Sequence, residues 1–504
     1  MSKESHQIDT QEQAKIASSG KYFMLINVYE KVQNLTDDKE IVTRDSLNRI
    51  YRKVDKRLIP CLWSVYFFAF SAKSIIGIAL TMNVSEGHSL KQTLNLLPQQ
   101  VSTGITLFYI AYVIFEIPCN LMTIYISPRF WISKTLLVVG IVLFFYTYMK
   151  DLVAFYILRF LLGVAEAGLW PGMAYYLMNY YPPYIMGKRI GWYFTASQIS
   201  TMTIGFLSIG FQKMDGIANL EGYKWMFLLY SIATIIVGVV TMWLLPQTLT
   251  EASVTEEELH SPSFIVRMYK RIKKTTERPF LTEDEKQLLL SNISLKNRWK
   301  VYDLVVAFID PRIWLLIFMY FGGMAFGIGI KNYGSLIIRS LDTEMSSLKI
   351  SLLYAIVWIV NLIGVLVILP ASDHYRSRMS FYISCSIVII IGILILTYAH
   401  NKWLQYSGLL ISIFATGPLI PICMAWCAQI FSKETKLNVA ATSALLTGMG
   451  NLGSIFTSYT LYEGMPGRDG YKKSNIVLCV VMGMSIIASL SQKALLMYYS
   501  KETN

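Results

Sequence analysis

The sequence predicts an all-α integral membrane protein with twelve transmembrane helices, and three observations carry that expectation. The chain of 504 residues is 54% hydrophobic and only 15% charged, whereas soluble chains carry about 25% charged residues. Its mean hydropathy is +0.45. The apolar residues come in long blocks, each near the ~20 residues that a helix needs to cross about 30 Å of hydrocarbon. Helices are required because lipid cannot satisfy open backbone groups, and nothing in the chain alternates for long enough to read as a β-barrel.

The elements follow in order. Residues 1–56 form a polar tail without an apolar core and small-residue cleavage site, so the first span is expected to serve as an uncleaved signal. Region 57–245 holds six spans, near 58–82, 101–126, 131–149, 153–178, 187–210 and 224–245. A polar linker, 246–313, divides the chain into six plus six. Its Arg267, Lys270, Arg271, Lys273 and Lys274 read as a solvated face near anionic lipid. Region 314–498 holds spans near 314–338, 349–370, 380–399, 403–427, 439–462 and 475–498, and residues 499–504 form a short tail.

The net charge of +13 would suggest nucleic acid in a soluble protein. Its placement argues otherwise. Thirty-two of the 45 basic residues fall in the two tails, the linker and the loops after spans two, four, eight and ten, ten fall on the opposite side, and three lie inside spans. By the positive-inside rule both termini are expected to be cytosolic, facing the bilayer's anionic leaflet rather than nucleic acid. The sequons at Asn34 and Asn292 are then cytosolic, and only Asn83 faces outward.

Ionisable residues inside a bilayer are expensive, by about 2.5–3.5 kcal/mol on insertion scales, so each is a functional candidate. Lys73 lies near the middle of span one, Glu116 in span two, Arg159 in the outer third of span four with Glu166 near its middle, and Lys331 in the outer third of span seven. Three cations face two carboxylates. Arg159 and Glu166 are two helical turns apart on one face and can line one cavity. Such a cavity favours a small organic anion, and a carboxylate beside a cation can exchange a proton as the anion arrives or leaves. Lys73, Arg159 and Lys331, with Tyr333 two residues on, are the candidate substrate contacts; Glu166 and Glu116 are the candidate proton carriers, although Glu116 beside Pro118 also reads as support for a helix break. The six cysteines lie in or at the edge of apolar spans, and no span holds a deep histidine, a metal-ligand cluster or a nucleophile with its base, so neither an enzyme nor a cofactor is expected. A nutrient sensor on the same scaffold, giving binding without flux, is the rival reading.

Several segments resemble a known family. Span two and its exit read Tyr109-Ile-Ala-Tyr112-Val-Ile-Phe-Glu116-Ile-Pro118, then Pro128-Arg-Phe-Trp131. Span four reads Arg159-Phe-Leu-Leu-Gly163-Val-Ala-Glu166-Ala-Gly168-Leu-Trp-Pro171-Gly172. Further along stand Met214-Asp215-Gly216, Ser372-Asp373-His-Tyr-Arg376-Ser-Arg378 and Gly448-Met-Gly450-Asn451-Leu-Gly453. Together these resemble the fungal anion:cation symporter family of the major facilitator superfamily, which includes permeases for allantoate, nicotinate, pantothenate and biotin. The resemblance implies two six-helix bundles rocking about a central site lined by spans one, four, seven and ten, in a monomer of the plasma membrane that takes up a carboxylate with protons; an internal membrane such as the endoplasmic reticulum is the alternative location. It also implies that Asp373, Arg376 and Arg378 hold the cytosolic gate. Two positions depart from the family pattern: Ser71-Ala72-Lys73 stands where the family has an acidic residue before its cation, and Tyr230 replaces an acidic position in span six. The first loss leaves Glu166 as the main candidate for carrying the proton.

Overall fold

The computed structural model describes residues 46–181, 183–246, 249, 280–292, 308–375, 377–431, 442, 445–462 and 471–502. The described secondary structure is helical throughout. In chain order the helices are α1 (Ser46–Ala79), α2 (Leu90–Thr93), α3 (Pro98–Ile126), α4 (Pro128–Tyr146), α5 (Leu152–Glu166), α6 (Leu169–Met178), α7 (Pro183–Gln212) and α8 (Gly222–Leu244). They continue with α9 (Glu283–Asn292), α10 (Pro311–Leu341), α11 (Ser347–His374), α12 (Arg378–Tyr398), α13 (Lys402–Ile430), α14 (Leu452–Thr460) and α15 (Lys472–Glu502). Eight of them, α1, α4, α8, α10, α11, α12, α13 and α15, contain stretches long and apolar enough to cross a membrane. The other four predicted spans correspond to α3, the pair α5 and α6, α7, and the segment 445–460 that includes α14.

Two compact units make up the chain. Of the described residues, the smaller takes in 46–56 together with Leu281–Asn292. In it Thr282 and Glu285 cap each other's backbone N–H at the start of α9, and Lys53 Nζ meets Glu285 Oε2 at 2.8 Å. The ammonium holds the Glu285 carboxyl below its ordinary range. The larger unit holds the described residues of 57–280 and 293–504, which include α1 from Arg57 onward and every other helix except α9.

Within the larger unit the helices before the linker pack on one another, α4 against α8 and α3 against α5. Those after it do the same, α12 and α11 against α13, and α10 against α14 and α15. The pairs that join the halves most extensively are α7 with α11 and α3 with α14. Outer faces are apolar at helical spacing. On α8, Ile232, Ile236, Val239 and Trp243 are exposed while Ser231, Thr234, Gly238 and Thr241 are buried. This inversion of the soluble pattern is what lipid as solvent selects, with small and hydroxyl-bearing residues at the helix interfaces.

Span four departs from the continuous helix that the sequence predicts over 153–178. It breaks after Glu166: Ala167 is extended at φ −57°, ψ 133°, and Gly168 is left-handed at φ 79°. A residue with Cβ is strained at that φ, and Pro171 follows in the first turn of α6, so the sequence ends one helix and starts the next. Inside a membrane protein such a break is tolerated where protein or a cavity surrounds it. Span eleven differs: Asn451, just before α14, stays right-handed at φ −65°, ψ −13°, and its N–H still donates to the Thr447 carbonyl at 3.1 Å.

Hydrogen bonds between the halves gather at the face that carries loops 80–97 and 342–346. Ser102 Oγ donates to the Ser458 carbonyl, Ser335 Oγ to the Gly77 carbonyl, and Gln212 Nε2 to Ser351 Oγ at 2.9 Å. Val84 N donates to Ser347 Oγ at 3.2 Å. On the same face His88 Nδ1 lies 2.6 Å from Asp215 Oδ2, and Asp215 Oδ1 accepts from Gly222 N. The Asp215 carboxylate raises the His88 pKa, so this bridge is an ion pair at mildly acid pH and loses its charge as the pH rises.

Candidate functional site

Beneath that seal lies a cavity of about 140 Å³, roughly ten times what one water needs. Tyr66, Phe70 and Lys73 of α1, Tyr109 and Tyr112 of α3, and Trp170 of α6 line one wall. Lys331 of α10, Trp358 and Asn361 of α11, and Thr416 and Gly417 of α13 line the other. The walls are aromatic, and few charges are set into them.

The charges are arranged around one ring. Lys73 Nζ lies 4.7 Å and Lys331 Nζ 4.8 Å from the centre of Phe70, so a single aromatic ring meets two ammonium groups. Lys73 also reaches Glu166 Oε2 at 3.3 Å. Glu166 closes α5 at the break in span four, which sets its side chain in the interior at 2% exposure. Lys331 is 1% exposed, and its Nζ finds no hydrogen-bond acceptor among the described residues. The backbone around it is pinned instead. Tyr354 donates to the Lys331 carbonyl at 2.8 Å, and a Cβ on Gly77 would stand 2.6 Å from that same oxygen. The glycine thus lets α1 and α10 touch one turn above Lys73.

Other predicted residues sit elsewhere. Arg159 is buried but does not line the cavity. Its Nε donates to the Gly104 carbonyl at 3.2 Å, and its guanidinium covers Phe108 at 4.9 Å, a ring whose other contacts include the cavity. It contributes positive potential at Glu166 rather than a contact in the cavity wall. Tyr333 is also absent from the lining. It is fully buried, donates to the Ser458 carbonyl at 3.0 Å and stacks on Tyr462 at 5.2 Å, so it belongs to the seal. Two residues along a helix differ in direction by about 200°, which is why Tyr333 and Lys331 part company.

Glu116 accepts from Thr447 Oγ1 at 3.4 Å across the halves, beside the cavity but outside its lining. Asp373 pairs with Arg378, which also donates to Ser372 Oγ at 3.2 Å. Arg376 lies outside the described residues, as do the basic cluster at 267–274 and the amino-terminal tail through residue 45. Asn361, in contrast, escaped the charge-based reading. A lone amide inside the apolar run Leu352-Leu-Tyr-Ala-Ile-Val-Trp-Ile-Val-Asn361-Leu-Ile-Gly was the available signal.

Two halves enclosing a charged, aromatic cavity between apolar outer faces define a membrane transporter rather than an enzyme. Residues 62–458 match the Major Facilitator Superfamily, and the chain belongs to that superfamily. Among its relatives it is 39% identical over 477 residues to Vitamin H transporter 1 of Schizosaccharomyces pombe, covering 92% of this chain and 83% of that one. It is 26% identical over 421 residues to a putative tartrate transporter of Agrobacterium vitis, covering 82% and 84%. Its fold matches the inward-facing crystal structure of a bacterial homologue of the human lysosomal transporter Spinster at a TM-score of 0.61. That likeness covers 87% of this chain and 97% of the other at 13% identity.

Proposed function

We propose that this transporter carries a small organic carboxylate together with protons, and that a vitamin such as biotin is the first substrate to try. The single observation that supports the reading is Lys331, a buried ammonium without an acceptor on the wall of the central cavity. Lys73 and Arg159 add positive charge, and among the described residues Glu166 is the carboxylate that reaches a lysine there. An anion would give Lys331 the acceptor it lacks. Its arrival would also compete with Glu166 for Lys73, which favours protonation of Glu166 and couples the anion to a proton. The vitamin H and tartrate relatives are consistent with a carboxylate substrate. With the termini in the cytosol, the sealed face points outward and the cavity serves the inward-open half of a transport cycle, in the plasma membrane.

The test is uptake of labelled biotin, pantothenate and nicotinate in cells lacking their own permeases, with and without a protonophore. Accumulation of at least one, abolished by the protonophore, is expected. Accumulation indifferent to the proton gradient would remove the coupling, and uptake of only neutral compounds would remove the carboxylate.

A further inference from the structure

We infer that Asn361 forms a second subsite in the cavity, one that accepts a hydrogen bond from an N–H group carried by the carboxylate substrate. The inference rests on the carboxylate reading above and narrows it, to carboxylates that also bear an amide- or urea-type N–H.

Asn361 is 2% exposed in the middle of α11, and it lines the cavity. Its Nδ2 donates to the Ile413 carbonyl at 2.8 Å. A backbone carbonyl only accepts, so this bond fixes the amide with nitrogen toward Ile413 and leaves Oδ1 as the free end. Oδ1 is buried and has no donor among the described residues. A buried acceptor left unpaired costs about 1–3 kcal/mol, a penalty that a bound N–H would relieve. Space around it is kept by sequence: a Cβ on Gly417, another lining residue, would stand 2.9 Å from Oδ1. Trp358, one turn earlier on α11, gives the same wall a flat aromatic surface. The carboxylate would meet Lys331 and the N–H would meet Asn361, so one wall reads two features of one ligand.

The experiment measures binding to the full-length protein in nanodiscs with four probes: biotin and pantothenate, which carry an N–H, and nicotinate and heptanoate, which do not. Wild-type protein should bind biotin about tenfold more tightly than heptanoate, and methylation of both nitrogens of the biotin urea should erase that preference without any change to the protein. Asn361→Leu should weaken only the N–H-bearing probes, by about tenfold, while Lys331→Met weakens all four. Equal binding of biotin and its N-methylated form by the wild type would overturn the subsite and leave the anion site standing. If none of the four binds to the wild type, the carboxylate reading fails, and the subsite with it.

Discussion

Lys331 and Glu166 show how little charge defines the site. The lysine ammonium is held by two aromatic faces, Phe70 at 4.8 Å and Tyr109 at 5.7 Å, and the glutamate by Lys73. Cation–π contacts are worth about 0.5–2 kcal/mol, less than an ionic hydrogen bond to a carboxylate, so an anion would outcompete the rings. If Glu166 carries the proton, Glu166→Gln separates binding from coupling. The variant should still exchange labelled carboxylate across a vesicle membrane at equal concentrations, yet no longer accumulate it against a gradient when the outside is acidified. Accumulation at the wild-type level would assign the proton to another group. The ionisable residues were legible in the sequence because charge inside an apolar run stands out. Their partners were not. Whether Arg159 points into the cavity or behind Phe108 depends on α3 packing against α5, and Tyr333 faces the seal because of where α14 lies.

At the scale of elements, the apolar blocks foretold nearly every helix, since a bilayer demands about 20 apolar residues whatever the tertiary fold. The breaks were less visible. Gly168 and Pro171 signal the interruption of span four locally, but nothing in the pattern alone distinguishes a break from the close-packing glycines of a continuous helix. Gly77 is of the second kind. Its missing side chain lets α1 meet the Lys331 and Asn332 carbonyls of α10, and Ser335 donates to its own carbonyl from the same side. Gly77→Val should therefore hold the sealed face apart and lower uptake by about tenfold or more, because overpacking costs about 1–3 kcal/mol. Gly191→Ala is the control, with nothing within 4 Å of the added carbon, and should transport like wild type. Equal activity in both variants would show that the α1 and α10 contact does not govern closure.

For the whole molecule, the linker is the sequence's signal for a six-plus-six division, and within the larger unit α4 packs on α8 and α3 on α5 before it, α12 and α11 on α13 after it. Where the halves meet could not be read. The α7 with α11 and α3 with α14 pairs join segments more than a hundred residues apart, and single-sequence periodicity carries no information about such partners. On the proposed reading the +13 net charge says most about orientation in the bilayer, while the chemistry rests on the three cations inside spans, of which Arg159 and Lys331 are buried and Lys73 is partly buried. The account's central claim is that Lys331 and Lys73, with positive potential from Arg159 behind the wall, form an anion site in a transporter. It is tested most directly by counterflow of labelled biotin into proteoliposomes containing the purified wild-type chain or Lys331→Met, preloaded with unlabelled biotin. The account predicts robust counterflow for the wild type and at least a tenfold loss for Lys331→Met, on the scale of a charge-assisted hydrogen bond of about 1.5–3 kcal/mol. Counterflow in Lys331→Met equal to that of the wild type would contradict it.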